Sequence, residues 1–148
     1  CGVDHTDFAV PAALDWFSTD NNGLPPHLIP VNATRTLYES KLYPMLSPIQ
    51  RTVLVPGAYG STTPLAGCDE SCFDDWFAKG ADAYYEWAKQ DARVVANMPF
   101  AWTTGGPPIE LGAKNLPKTR AAYARIGSEI VAGGRGPWAA GVESEHGL

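Results

Sequence analysis

Long apolar runs and clustered positive charge are both missing from this chain of 148 residues. No stretch approaches the roughly 20 apolar residues that span a bilayer, so no membrane-spanning helix is expected. Lysine and arginine total 11 against 16 acidic residues, for a net charge of −5, and the basic residues are scattered. Without a basic stripe to neutralise phosphates, nucleic acid is not an expected partner. The 3 histidines, His5, His27 and His146, are dispersed. A zinc site built on Cys68 and Cys72 would therefore lack ligands, and no metal is expected. The turns "PGAYGS" and "TTGG" match neither a P-loop nor a dinucleotide fingerprint, so no cofactor is expected. Ser61 lacks the G-x-S-x-G setting of a nucleophile elbow. A basic segment leading into an apolar one is also missing, as is an initiating Met. The expectation is that a leader has been removed or that the chain is a piece of something longer.

Cysteine is scarce, and its count of 3 is odd. Cys68 and Cys72 lie close together in "GCDESC", where a small loop disulfide is sterically possible. That pairing leaves Cys1 to find a partner outside this sequence. Asn32-Ala33-Thr34 is an N-x-T glycosylation acceptor, with Asn32 as the modified residue. A sequon beside a candidate disulfide leads to the expectation of a secreted or lumenal protein. The hydrophobic fraction of 45% is ordinary for one globular domain, here taken as residues 1–148 with an irregular tail over 135–148.

Strand and helix signals alternate along the chain. "ALDWFST" has strand composition and runs into "DNNGLPPHLIP", which cannot continue a regular element. From Thr34 to Leu46, the residues Tyr38, Leu42, Met45 and Leu46 fall on one helical face, and Pro44 must kink or end that helix. Thr52 to Val55 is a continuous apolar or β-branched run closed by Pro56-Gly57, the pattern of a strand covered on both faces. The clearest helix runs from Ser71 to Asp91, with Ser71 and Asp74 as its capping pair. Its apolar stripe is Phe73, Trp76, Phe77, Ala81, Tyr84 and Ala88. "ARVVANMP" reads as another buried strand. A last helix begins near Asn115 as N-cap with Pro117 in its first turn, buries Tyr123, Ile126, Ile130 and Val131, and stops at Gly133-Gly134. The order strand, helix, strand, helix, strand, helix predicts an α/β fold of parallel strands with right-handed crossovers. Such a small sheet would leave both edges bare, which argues for completion by another half.

The succession "LDWFSTDNNG", "LYESKLYPMLSPIQRTVLVPGAYG", "YYEWAKQDARVVANMPFAW" and "ELGAKNLPKTRAAYARIGSEI" resembles the last three βα units of glycoside-hydrolase-like (β/α)₈ (TIM) barrels. Within that superfamily it is most similar to eukaryotic members without an established function. The resemblance covers about Leu14 to Ile130 and implies a partial (β/α)₈ barrel. It implies a site at the C-terminal ends of the strands, around Asp20, Pro56 to Ser61 and Asn97 to Thr103. It also implies carbohydrate as partner, and a second polypeptide or missing N-terminal half to complete the barrel, with Cys1 as a possible link.

Glycoside hydrolysis uses two carboxyl groups about 5 to 9 Å apart. Asp20 is the candidate catalytic residue, because it follows the first strand and precedes Asn21-Asn22-Gly23. The alternative is that it only forms a turn with those residues. Many barrel glycosidases carry a nucleophilic Glu after the seventh strand, but the matching residues here are Val55 to Tyr59, with no acid among them. A non-catalytic carbohydrate-binding or structural subunit is therefore the competing expectation. Trp102 can offer a flat platform to a sugar ring, with Tyr59 and Asn97 supplying hydrogen bonds; against this, the tryptophans of a small domain mostly fill its core. Asp15 is expected to pair with a cation or to start the strand. "DHTD", Asp4 to Asp7, reads as a polar loop rather than an ion site.

Overall fold

The computed structural model describes residues 10–19, 31–60, 67–103, 105–106 and 111–133. In chain order the elements are Trp16–Phe17 (β1), Val31–Leu37 (α1), Arg51–Leu54 (β2), Tyr59–Gly60 (β3), Glu70–Gln90 (α2), Val94–Asn97 (β4), Leu111–Gly112 (β5) and Pro117–Ala132 (α3). Three strands form a parallel sheet in the order β1-β2-β4, and β3 and β5 form a separate antiparallel pair. The register runs Trp16 with Arg51, Phe17 with Thr52, Thr52 with Val94 and Leu54 with Asn97, with an irregularity between Thr52 and Val53.

The helix expected from Thr34 to Leu46 changes character along its length. After α1 the chain widens into a π turn over Tyr38–Leu42, then tightens into a 3-10 turn over Tyr43–Met45 that contains Pro44. A proline has no amide hydrogen to donate back, so an α-helix cannot continue through it. The two irregular turns still deliver Tyr38, Leu42 and Tyr43 to one cluster with Leu54, Tyr84, Trp87, Ala88 and Val94. The ring of Tyr38 meets Trp87 of α2 edge-on, with centroids 5.2 Å apart. Both crossover segments therefore cover the same face of the sheet, where Leu54 and Val94 supply the strand side chains.

Two further clusters flank α2. Near its start, Cys68, Phe73 and Phe77 pack with Leu111 and Leu116; along its later turns, Ala81 and Tyr85 meet Ala122 and Ile126 of α3. The Cys68–Cys72 disulfide exists and closes the loop that leads into α2. The N-cap of α2 is Asp69, whose carboxylate accepts the Cys72 N–H at 2.9 Å, in place of the expected Ser71. Asp74 serves a different helix. Its carboxylate is buried and accepts the N–H groups of Lys118 and Thr119 at the start of α3. The N-cap residue of α3 is Leu116, which has no side chain able to do this, and Asn115 sits in the 3-10 turn before it. Within α3, Ile126 is buried as expected, whereas Val131 is exposed.

Candidate functional site

Parallel strands bring their C-terminal ends to one edge of the sheet, so the residues after β1, β2 and β4 form a common rim. Thr19, two residues past β1, is held there by Tyr38: the Thr19 N–H and hydroxyl lie 3.3 and 3.2 Å from the Tyr38 oxygen. Asp20, which follows it, lies outside the described residues, as do Cys1, the Asp4 to Asp7 stretch and the histidines.

Past β2 and β4 the two chains keep pairing. The Met98 N–H donates to the Leu54 carbonyl at 2.8 Å and the Phe100 N–H to the Pro56 carbonyl at 2.9 Å, and Gly57 bridges to Phe100. On the far side, the Ala113 N–H donates to the Ala101 carbonyl and the Lys114 N–H to the Trp102 carbonyl. Residues 98–102 are thus clamped between two other stretches of backbone. The approach is close at Gly112, where an added Cβ would lie 2.4 Å from the Thr103 carbonyl carbon and 2.5 Å from the Trp102 oxygen. Only glycine fits there. The peptide between Phe100 and Ala101 is cis.

On this fixed backbone the side chains divide by role. Met98, Phe100 and Trp102 are the exposed apolar residues, and Trp102 is 55% exposed. Tyr59 is buried, with its ring 5.8 Å from Phe77 and 6.2 Å from Phe100. Its ring belongs to the core beneath the rim, and Phe100 joins that core to the surface. Asn97 ends β4, and both polar atoms of its side chain are buried without a hydrogen-bond partner. Leaving one such group unpaired costs about 1–3 kcal/mol; among the described residues the Trp87 indole N–H and the Tyr123 hydroxyl are also buried without a partner, and Asn97 is the one of the three at the rim. An unpaired amide presents a donor and an acceptor side by side, which suits a hydroxyl group that both gives and takes a hydrogen bond.

Carboxylates are absent from the described rim segments 55–60 and 97–103. The buried ones serve other ends. Asp91 precedes β4, at the opposite end of that strand from Asn97. It accepts the Tyr43 hydroxyl at 2.7 Å, the Arg93 N–H at 3.0 Å and the Arg93 Nε at 3.0 Å. Burial alone would raise the Asp91 pKa, but the hydrogen bonds from Arg93 and Tyr43 outweigh it and hold the carboxyl below its ordinary value. Burial and the neighbouring Asp91 push the Tyr43 hydroxyl up. The Arg93 guanidinium lies over the Tyr43 ring, 3.5 Å from its centroid. Charge, hydrogen bonds and stacking are all satisfied within this trio, as in a structural fastening.

Among the described residues no group of His, Cys, Asp or Glu is arranged to hold a metal ion. Asp15 is exposed just before β1, and its carbonyl receives the Arg51 N–H. Asn32 is exposed in the first turn of α1. Sequence reasoning missed the β3–β5 pair, because each of its strands is two residues long and carries no periodicity to read. No family model, no curated protein and no solved structure matches this chain.

Proposed function

We propose that this chain is the C-terminal part of a glycoside-hydrolase-like (β/α)₈ barrel whose rim binds or acts on carbohydrate. The observation that carries the reading is the winding. The parallel strands stand in sequential order, β1-β2-β4, and both crossover segments cover one face through a single cluster. Doubly wound folds reverse strand order and cover both faces; a barrel does neither. Among the described residues no strand pairs with the outer edge of β1 or of β4, and in this reading those edges take strands from an N-terminal half or a second polypeptide, to which Cys1 is the candidate link. The rim chemistry agrees with a sugar: an exposed indole at Trp102 for a ring face and the unpaired Asn97 amide for a hydroxyl. Asp20, the residue after Thr19, is the carboxylate this chain contributes, and its partner comes from the completing half. The disulfide fits the oxidising conditions of a secreted or lumenal protein.

A second reading, a barrel that binds carbohydrate without hydrolysing it, draws on the missing acid between Val55 and Tyr59. Both are tested on the complete native assembly with a panel of oligosaccharides, scoring binding and release of reducing ends. Turnover abolished by Asp20→Asn with binding retained supports the enzyme; binding without turnover supports the second reading. An assembly that neither binds nor cleaves any glycan overturns both.

A further inference from the structure

The acceptor triplet Asn32-Ala33-Thr34 lies in the first turns of α1, and its two functional residues have opposite surroundings. Asn32 is exposed, and its carbonyl accepts the Thr36 hydroxyl at 2.8 Å, a bond made within the helix. Thr34 is only 2% exposed. Its hydroxyl accepts a hydrogen bond from the Tyr84 hydroxyl at 3.3 Å, and the Tyr84 ring packs on Trp87 with centroids 5.9 Å apart. Thr34 thus faces α2 and the main core, while Asn32 faces out.

Glycan transfer to such a triplet depends on both residues, since the acceptor is defined by the amide and by the hydroxyl two positions on. The folded protein offers the first and withholds the second. We propose that Asn32 carries an N-linked oligosaccharide that is added before α1 packs on α2, and that folding then closes the triplet to further transfer. The co-reactant is a lipid-diphosphate-linked oligosaccharide. The Asn32 side-chain nitrogen forms a bond to the anomeric carbon of the donor sugar as the bond from that carbon to the diphosphate oxygen breaks. The lipid diphosphate leaves with the electron pair, and the amide nitrogen gives up one proton. The glycan stays in water on the outer side of α1, so it costs the core nothing, and Thr34 turns from recognition element into packing element. The proposal rests on passage through the secretory route.

The test has two arms. The full chain is placed behind a secretion leader in eukaryotic cells, and the product is weighed before and after an amidase that releases N-glycans, with Asn32→Gln as control. Asn32 is exposed, so that variant keeps the fold. Mass lost to the amidase in the parent and not in the variant is expected; a parent product with no glycan overturns the assignment. In the second arm a purified transferase and its lipid-linked donor meet either the folded, unglycosylated protein or a peptide of residues 26–40. Transfer to the peptide and none to the folded protein is expected, and equal transfer to both overturns the order of events. Because the leader imposes the compartment, neither arm depends on where the natural protein resides, which is read separately by locating it in its own cells.

Discussion

The carboxylate of Asp74, in the second turn of α2, caps α3 by accepting the N–H of Thr119 at 2.8 Å and that of Lys118 at 2.9 Å. The Thr119 hydroxyl returns a bond to the Asp74 carbonyl at 3.2 Å. A helix start leaves its first N–H groups without partners and carries partial positive charge. A buried carboxylate answers both, and it welds the two longest helices of the described chain at one end. The nearby Lys118–Asp75 pair is about half exposed on each side, where an ion pair adds little.

Asp74→Ala therefore removes a cap and leaves the buried Thr119 N–H and the half-buried Lys118 N–H without their acceptor, with an expected loss of about 1–3 kcal/mol. Asp75→Asn should leave the midpoint unchanged, although Lys118 holds the Asp75 carboxyl below its ordinary pKa. Urea unfolding of the two variants side by side separates the cap from the surface charge.

Gly112→Ala tests the clamp on the rim. The new methyl would meet backbone atoms of Trp102 and Thr103 at 2.4 to 2.6 Å, and backbone cannot step aside as a flexible side chain can. The expected result is loss of the pairing between residues 101–102 and 113–114, with faster amide exchange at Ala113 and Lys114 and little change in exchange along α3.

Acid and alkali should loosen the Tyr43–Asp91–Arg93 fastening by opposite routes. Asp91 is depressed in the folded state, so its contribution is complete above the ordinary aspartate pKa of about 3.9 and is lost as pH falls through its lower folded value. Tyr43 is raised, so its contribution is complete below the ordinary tyrosine pKa of about 10 and is lost as pH rises toward the folded value. Thermal midpoints measured against pH should fall at both extremes, and Asp91→Asn should flatten the acid limb.

How much of this was legible in the sequence depends on how local each signal is. Val94–Asn97 and Arg51–Leu54 stand where continuous β-branched runs predict strands, and Phe73, Phe77, Ala81, Tyr84 and Ala88 are buried at the helical spacing that predicts them. The caps were not legible. The spacing of Ser71 and Asp74 predicts a cap within their own helix, while the partners of Asp74 are the N–H groups of Lys118 and Thr119; propensity carries no information about a residue so distant in sequence. The exposed Trp102 follows from its place after a strand, but the buried ring of Tyr59 does not, since its neighbours Phe77 and Phe100 come from two other parts of the chain. The unpaired amide of Asn97 is visible only once the strands are in register.

Phe100 and Trp102 are two residues apart and both exposed, yet substitution should separate them by function. The Phe100 ring contacts Tyr59 edge-on at 6.2 Å, an arrangement worth about 0.5–1.5 kcal/mol beyond the area it buries. Its backbone N–H and carbonyl also bind the β2 extension. Phe100→Ala should therefore lower the unfolding free energy by about 1 kcal/mol or more, with any effect on glycan binding following from that. Trp102 is held through its carbonyl, which accepts the Lys114 N–H, while the residue is 55% exposed. Trp102→Ala keeps the backbone bond and loses only the ring. Stability should stay within about 0.5 kcal/mol of the parent. Affinity for an accepted oligosaccharide should fall about tenfold, roughly 1.4 kcal/mol, in calorimetry on the complete assembly. Equal affinity in parent and Trp102→Ala would remove the indole from the binding face and leave the Asn97 amide, buried without a hydrogen-bond partner, as the rim group of β4 to test next.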